Sequence, residues 1–159
     1  MTSARFGIGY DVHPFEAGRR LVLGGVEIPA ERGLAGHSDA DVLLHAVMDA
    51  LLGAAGLDDI GVHFPPTDER WRDADSRRLL AIVVDLIEGQ WRIVNIDATL
   101  IAEEPRIGPW RGQIRDSLAH CAGLPVEQVN IKATTNEHLG FVGRGEGIAA
   151  LAIAGLEPR

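Results

Sequence analysis

Asp11 and His13 stand two residues apart in RFGIGYDVH, a run whose apolar residues alternate. In an extended chain successive side chains point to opposite faces, so Phe6, Ile8, Tyr10 and Val12 share one side and Gly9, Asp11 and His13 the other. His45 recurs with Asp41 and Asp49 at four-residue spacing in DADVLLHAVMDALLGAAG, which sets the three on one stripe of a helix. A carboxylate oxygen and two imidazole nitrogens, brought together from a strand and a helix, suit zinc and leave a fourth tetrahedral position for a substrate oxygen or water. The Asp-X-His spacing alone fits an exposed strand end or a helix cap as well. Asp41 and Asp49 also read as a helix cap and a solvated polar face, and Asp49 is the better of the two for contact with a substrate hydroxyl.

A second set of groups suits phosphate. His37 and Ser38 lie just ahead of that helix, where backbone amides, a hydroxyl and an imidazole can receive an anion. A capping serine beside an exposed histidine is the plain alternative. Lys132, Thr134 and Thr135 bring an ammonium and two hydroxyls to the end of a strand-like run, either to bind a nucleotide phosphate or to terminate a solvated strand. Glu137, just beyond them, offers a hard oxygen ligand for magnesium. The glycine-rich LGFVGRGEGIAA matches neither the P-loop pattern nor a well-placed GxGxxG. Within it, Arg144 and Glu146 read as an ionic pair at an oligomer interface rather than as ligand groups.

The elements that must position these residues follow from pattern. Residues 5–13 predict a strand, 21–29 a hairpin around Gly24-Gly25, and 30–37 a polar link. A helix is expected from near Ser38, with Asp41 completing an imperfect capping box. Residues 57–72 hold paired prolines and predict an irregular segment bordering a site. A second helix is expected from Asp75 or Ser76 to Gly89, and a third over 111–122. Strands are expected over 91–102 and 126–135, with a turn between Pro105 and Pro109. The final run GIAALAIAGL favours a closing strand over a short helix. The expected fold is α/β, a two-layer sandwich with helices packed on one face of a mixed sheet, in a single domain over 1–159.

Composition bounds the function. A chain of 159 residues with 46% hydrophobic content supports one core. Its apolar runs stop short of about 18 residues, and the start of the chain lacks a hydrophobic export segment, so a soluble cytoplasmic protein is expected. A formal charge of −8 disfavours nucleic-acid or anionic-membrane partners while leaving room for a local phosphate site. Cys121, the one cysteine, reads as a half-buried filler.

RFGIGYDVHPF, GLAGHSDADVLLHAVMDALLGAAGLDDIG, NIKATTNEHLGF and GRGEGIAA, in that order and across essentially the whole chain, resemble the 2-C-methyl-D-erythritol 2,4-cyclodiphosphate synthase family. The resemblance implies a homotrimer whose sheets pack together, with active sites between subunits and a cytidine diphosphate-linked substrate. It places zinc on Asp11, His13 and His45, and magnesium or manganese on Glu137 and the substrate phosphates. His37, Ser38, Thr135 and Glu137 take catalytic roles by the same likeness. Asp49 falls on the erythritol, Asp59, Gly61 and Asp68 on further substrate-lining positions, and Thr134 and Thr135 on the cytidylate phosphate. Ala102, Pro105 and Ile107, with Glu103, Glu104 and Arg106, fall on a cytosine pocket. Lys132, Phe141 and Arg144 join the substrate-contacting set. In a trimer, Phe141 and the Arg144-Glu146 pair would stand at one end of an axial apolar channel able to take an isoprenoid phosphate. Two positions depart from the pattern: Pro66 replaces a more usual acid or amide, and Gly108 a bulkier residue. The implied reaction is an intramolecular phosphoryl transfer that expels CMP and closes a cyclic diphosphate. A protein that uses the same zinc only for structure, or only binds nucleotide, is the competing reading.

Overall fold

Alternation carries β1 (Arg5–Ala17) beyond His13 to Ala17 in the computed structural model, which describes residues 3–159. β1 pairs antiparallel with β7 (Gly147–Pro158), Asp11 opposite Ala150 and His13 opposite Ile148, so the closing run is a strand. β7 pairs antiparallel with β5 (Trp91–Ile101), which pairs parallel with β6 (Val129–Thr134). With β4 (Arg32–Leu34) at the edge, the mixed sheet runs β4-β1-β7-β5-β6. β2 (Leu21–Leu23) and β3 (Val26–Ile28) form the expected hairpin, and Gly24 and Gly25 supply the φ values of 61° and 77° that its two-residue turn requires.

Three helices, α1 (Val42–Ala55), α3 (Ser76–Glu88) and α4 (Arg111–Ala122), cover one face of the sheet. Short helices α2 (Ile60–His63) and α5 (Gly140–Gly143) lie in the connections. α1 rests on β1 and β7. A Cβ on Gly7 would fall 2.0 Å from the Ala50 carbonyl oxygen, and one on Gly9 1.8 Å from that of Ala46, so only glycine admits the helix at this depth. Among the described residues nothing covers the other face of the sheet: Phe6 is 73% exposed and Ile8 70%, with Tyr10, Val12, Leu151 and Ile153 beside them. Among the described residues, no helix is long and apolar enough to cross a membrane.

Three expectations need correction. α1 starts at Val42, not near Ser38, because Ala40 adopts φ 56° and Asp41 itself is the N-cap. The link over 30–37 contains β4, whose three residues pair with the far end of β1 and are too few to show a period. β6 begins at Val129, since Val126–Gln128 forms a turn of 3-10 helix. Asp41 and His45, on the polar stripe of α1, are both buried.

Asp41 ties the hairpin to the helix. Its carboxylate accepts from the amides of Leu44 (3.1 Å), Gly24 (2.9 Å) and Gly25 (2.7 Å) and is fully enclosed. Burial pushes the carboxyl up to about 6 against the pull of those amides. The folded value lies above the ordinary 3.8, so folded protein holds the proton that unfolded chain has released, and stability falls as pH rises from about 4 to about 6. Asp41→Asn removes that slope but turns an NH2 group toward the Gly25 amide, leaving a buried donor unpaired. The variant is expected to lose about 2 kcal/mol at neutral pH. Denaturant unfolding of parent and variant at several pH values checks both statements; a variant as stable as the parent at neutral pH overturns them.

Candidate active site

Strand period brings Asp11 and His13 to the helix-covered face of β1, and α1 brings His45 down onto them. Asp11 Oδ2 lies 2.8 Å from His13 Nε2 and 3.1 Å from His45 Nδ1, and the two imidazole nitrogens are 3.1 Å apart. Tetrahedral zinc with bonds of about 2.0–2.1 Å separates its ligand atoms by about 3.3 Å, close to this triangle.

The surrounding hydrogen bonds decide what the nitrogens offer. His13 Nδ1 donates to the Ala35 carbonyl at 2.8 Å, which leaves its Nε2 as a lone pair. Ser76 Oγ donates its proton to Asp39 Oδ1 at 2.5 Å, so the serine can only accept from His45 Nε2, 3.0 Å away. His45 therefore carries its proton on Nε2 and presents a bare Nδ1. Three lone-pair atoms within hydrogen-bond distance of one another repel unless a proton or a cation lies among them. Burial opposes ionisation of Asp11, but hydrogen bonds and charge from His13 and His45 outweigh it and hold the carboxyl down to about 2. For His13, burial lowers the value, and the Asp11 hydrogen bond and charge overcome it to raise the group above its ordinary 6.5. The donor set fits a divalent cation, and these three residues form a cluster able to hold one.

The cluster opens on a cavity of about 260 Å³ that His37, Ser38, Ile60, Gly61, Phe64 and Pro66 help to line. The irregular segment thus borders the site as expected. Ser38 is buried, with its hydroxyl 3.1 Å from His45 Nε2, and His37 Nε2 donates to the Asp68 carbonyl at 3.3 Å. Arg19 donates to the carbonyls of Gly36 and Ser38 and so braces the loop on both sides of His37. Asp49 is half-buried; desolvation raises its carboxyl despite the Ile60 amide, which donates to it at 2.8 Å. Asp59 caps α2 through Oδ1, which accepts from the Val62 amide, and Asp68 is paired with Arg70.

A second cavity, about 570 Å³, is lined by Ala102, Pro105, Ile107 and Gly108 on one side and Thr134 and Thr135 on the other. It shares no lining residue with the first. Glu137 is exposed on the turn beyond Thr135, in a left-handed conformation with φ 52°. Lys132 is held 2.7 Å from Asp97 and is not part of this wall. Phe141 and Arg144 are exposed, and Arg144 pairs with Glu146. Sequence reading missed Asp39, Ser76 and Arg19. Only Ser76, at the start of a predicted helix, carried a local signal, and that signal was structural.

A family model described as the YgbB family matches residues 4–157. The 2-C-methyl-D-erythritol 2,4-cyclodiphosphate synthase of Rubrobacter xylanophilus is 58% identical, over 99% of this chain and 97% of its own length. That of Symbiobacterium thermophilum is 61% identical, over 93% and 95%. Among solved structures, the bifunctional IspDF from Campylobacter jejuni superposes with a TM-score of 0.96 at 40% identity; all of this chain matches 43% of that longer one. A CDP-bound 2C-methyl-D-erythritol-2,4-cyclodiphosphate synthase superposes with a TM-score of 0.87 at 38% identity, over 96% of this chain and 99% of its own.

Proton and cation compete for the same lone pairs, so metal affinity must depend on pH. Asp11 raises His13 above its ordinary value, so the imidazole holds its proton more tightly than a free histidine and a cation has to displace it. Zinc affinity measured by chelator competition is expected to strengthen as pH rises through the ordinary histidine range and beyond it, by up to roughly tenfold per pH unit. An affinity flat across that range would show that the cluster is not protonated as described.

Proposed function

The chain belongs to the YgbB family, that of 2-C-methyl-D-erythritol 2,4-cyclodiphosphate synthase, and from that premise we propose the reaction it performs and the residues that perform it. It converts 4-diphosphocytidyl-2-C-methyl-D-erythritol 2-phosphate to 2-C-methyl-D-erythritol 2,4-cyclodiphosphate and CMP, as a cytoplasmic lyase of non-mevalonate isoprenoid precursor synthesis. The observation that carries this is the Asp11, His13 and His45 cluster opening on a cavity bordered by a histidine, a serine and loop amides. The second cavity is of a size for cytidylate, and the CDP complexes of relatives support that use.

In the reaction an oxygen of the 2-phosphate attacks the β-phosphorus. The bond to the α-phosphate oxygen breaks, and CMP leaves with the electron pair. The nucleophile is already anionic, so the protein's task is alignment and charge stabilisation rather than proton abstraction. His37 and Ser38 donate to the phosphate beside the cluster, and the bracing by Arg19 keeps them there. Thr134 and Thr135 hold the cytidylate phosphate, while Ala102, Pro105 and Ile107 enclose the base. Asp49 and the backbone at Gly61 meet the erythritol hydroxyls. Zinc at Asp11, His13 and His45, and magnesium or manganese at Glu137, when bound, would polarise the diphosphate and neutralise the charge that develops on the leaving group.

The uncovered sheet face supports a homotrimer. Phe6, Ile8, Tyr10, Val12, Leu151 and Ile153 form an apolar stripe on two paired strands, a surface that a second copy can bury. Such an assembly would set the cluster of one subunit against the nucleotide cavity of the next. It would also enclose an axial apolar channel, the place for an isoprenoid phosphate.

Incubation with the diphosphocytidyl substrate, zinc and magnesium is expected to yield CMP and cyclic product together; CMP alone would mean hydrolysis and overturn the proposal. Glu137→Gln should keep zinc and bind CMP but cyclise about 100-fold more slowly at low magnesium, whereas His45→Ala should lose zinc. Near-parental turnover of Glu137→Gln would remove Glu137 from the magnesium site. Ile8→Asp puts a charge into the apolar stripe and should yield monomers by sedimentation, with cyclisation lost; an intact, active trimer would place the interface elsewhere.

A further inference from the structure

The turn that carries Glu137 is held by an acid from another part of the chain. Glu137 and His138 are consecutive non-glycine residues in the left-handed region, with φ of 52° and 59°, a conformation that persists only where its surroundings enforce it. Glu103 Oε1 accepts from the Asn136 amide at 2.9 Å and the His138 amide at 3.2 Å, and its Oε2 lies 3.5 Å from His138 Nδ1. Alternate amides converging on one oxygen form a small anion cradle, and here a side chain fills it. Although the turn is exposed, the Glu103 side chain is only 11% exposed. On the far side, Gly143 lets the turn close: a Cβ there would fall 2.1 Å from the His138 carbonyl carbon. Within the turn, Thr135 Oγ1 accepts from the Glu137 amide and Asn136 Nδ2 donates to the Leu139 carbonyl.

The same acid belongs to the wall of the nucleotide cavity. Glu103 lines it between Ala102 and Pro105, and the Ala102 amide donates to the Thr134 carbonyl at 3.0 Å. The segment that meets the base and the turn that carries Glu137 are thus joined by one backbone bond and by the carboxylate of Glu103. We propose that Glu103 is a positioning residue that couples the two: a nucleotide seated against 102–107 fixes Glu103, Glu103 fixes the left-handed turn, and the turn presents Glu137 to its divalent cation. This rests on the functional reading above and deepens it, since binding of nucleotide and of cation must then strengthen one another by the same factor.

Glu103→Gln keeps Oε1 as acceptor for both amides, whereas Glu103→Ala empties the cradle. The holoprotein and both variants are compared for CMP affinity with and without magnesium, for the magnesium dependence of cyclisation, and for exchange of the Asn136 and His138 amide hydrogens. In Glu103→Ala the magnesium needed for half-maximal cyclisation should rise roughly tenfold and the mutual strengthening of CMP and magnesium should largely vanish. Saturating magnesium should restore most of kcat, zinc content should stay at the parental level, and both amides should exchange faster. Glu103→Gln should stay close to the parent in all of these. An unchanged magnesium requirement in Glu103→Ala, or a Gln variant as impaired as the Ala variant, overturns the proposal while leaving the functional reading intact. A parent that neither binds CMP nor cyclises overturns both.

Discussion

Gly7 and Gly9 give β1 a bare surface on which α1 lies deeper than any side chain would allow, and the site is built at that depth. The carbonyls of Ala46 and Ala50 occupy the space where β-carbons of the strand would stand. His45 precedes Ala46, and Asp11 follows Gly9 by one strand repeat, so the contact that excludes side chains at Gly9 sets the imidazole beside the carboxylate. β7 helps on the same face, where Ala150, Ala152 and Ala154 are all buried under the helix layer. The apolar content of α1 is therefore enclosed on all sides instead of forming one stripe, and the helix carries its polar residues into the interior. Such burial is tolerable only where each polar group has a partner. Asp41 has three amides and His45 has Asp11, Ser38 and Ser76.

Gly36 repeats the principle at the mouth of the site. A β-carbon there would stand 2.9 Å from the Ala40 β-carbon and 3.1 Å from the His13 ring, so a larger residue would push the loop away from the imidazole. The same loop supplies the Ala35 carbonyl that fixes the His13 tautomer and the Ser38 hydroxyl that faces His45. Arg19 binds two of its carbonyls. In a chain of net charge −8, the groups proposed to face phosphate here are thus hydroxyls, amides and imidazoles set in place by packing, with Arg19 spent on the loop.

What could be read from sequence was what local period controls. The two-residue repeat put Asp11 and His13 on one face, and the four-residue repeat put His45 on a stripe that could meet them; both readings need only backbone geometry. The glycine pair at 24–25 and the small residues of β7 were legible for the same reason. Illegible were the partners reached across long sequence separations. Asp41 was legible as a helix cap, but not the hairpin seventeen residues earlier that its carboxylate also binds. Asp39 and Ser76, which set the His45 tautomer, lie thirty-seven residues apart. Lys132 carried a phosphate-binding signal by type, but its ion pair with Asp97 crosses from β6 to the parallel strand β5, and no local pattern announces that contact.

The sheet also explains why the site and the assembly belong together. Asp11 stands opposite Ala150, Ala150 opposite Leu100, and Leu100 opposite Ala133, so the Asp11 cluster and the wall of the second cavity lie level at one end of the sheet. They are three strand spacings apart, about 14 Å. Between them run β7 and β5, and β7, like β1, sends its large apolar side chains, Leu151 and Ile153, to the uncovered face. Along β7 the requirement for small residues under α1 and large ones on the opposite face is met by simple alternation, Ala150, Leu151, Ala152, Ile153, Ala154. The alanines let the helix bring His45 to Asp11, and the larger residues call for another copy to cover them. In the proposed trimer a single strand therefore serves both halves of the catalytic arrangement: one face seats the helix that completes the metal cluster, and the other draws in the subunit whose nucleotide cavity completes the site.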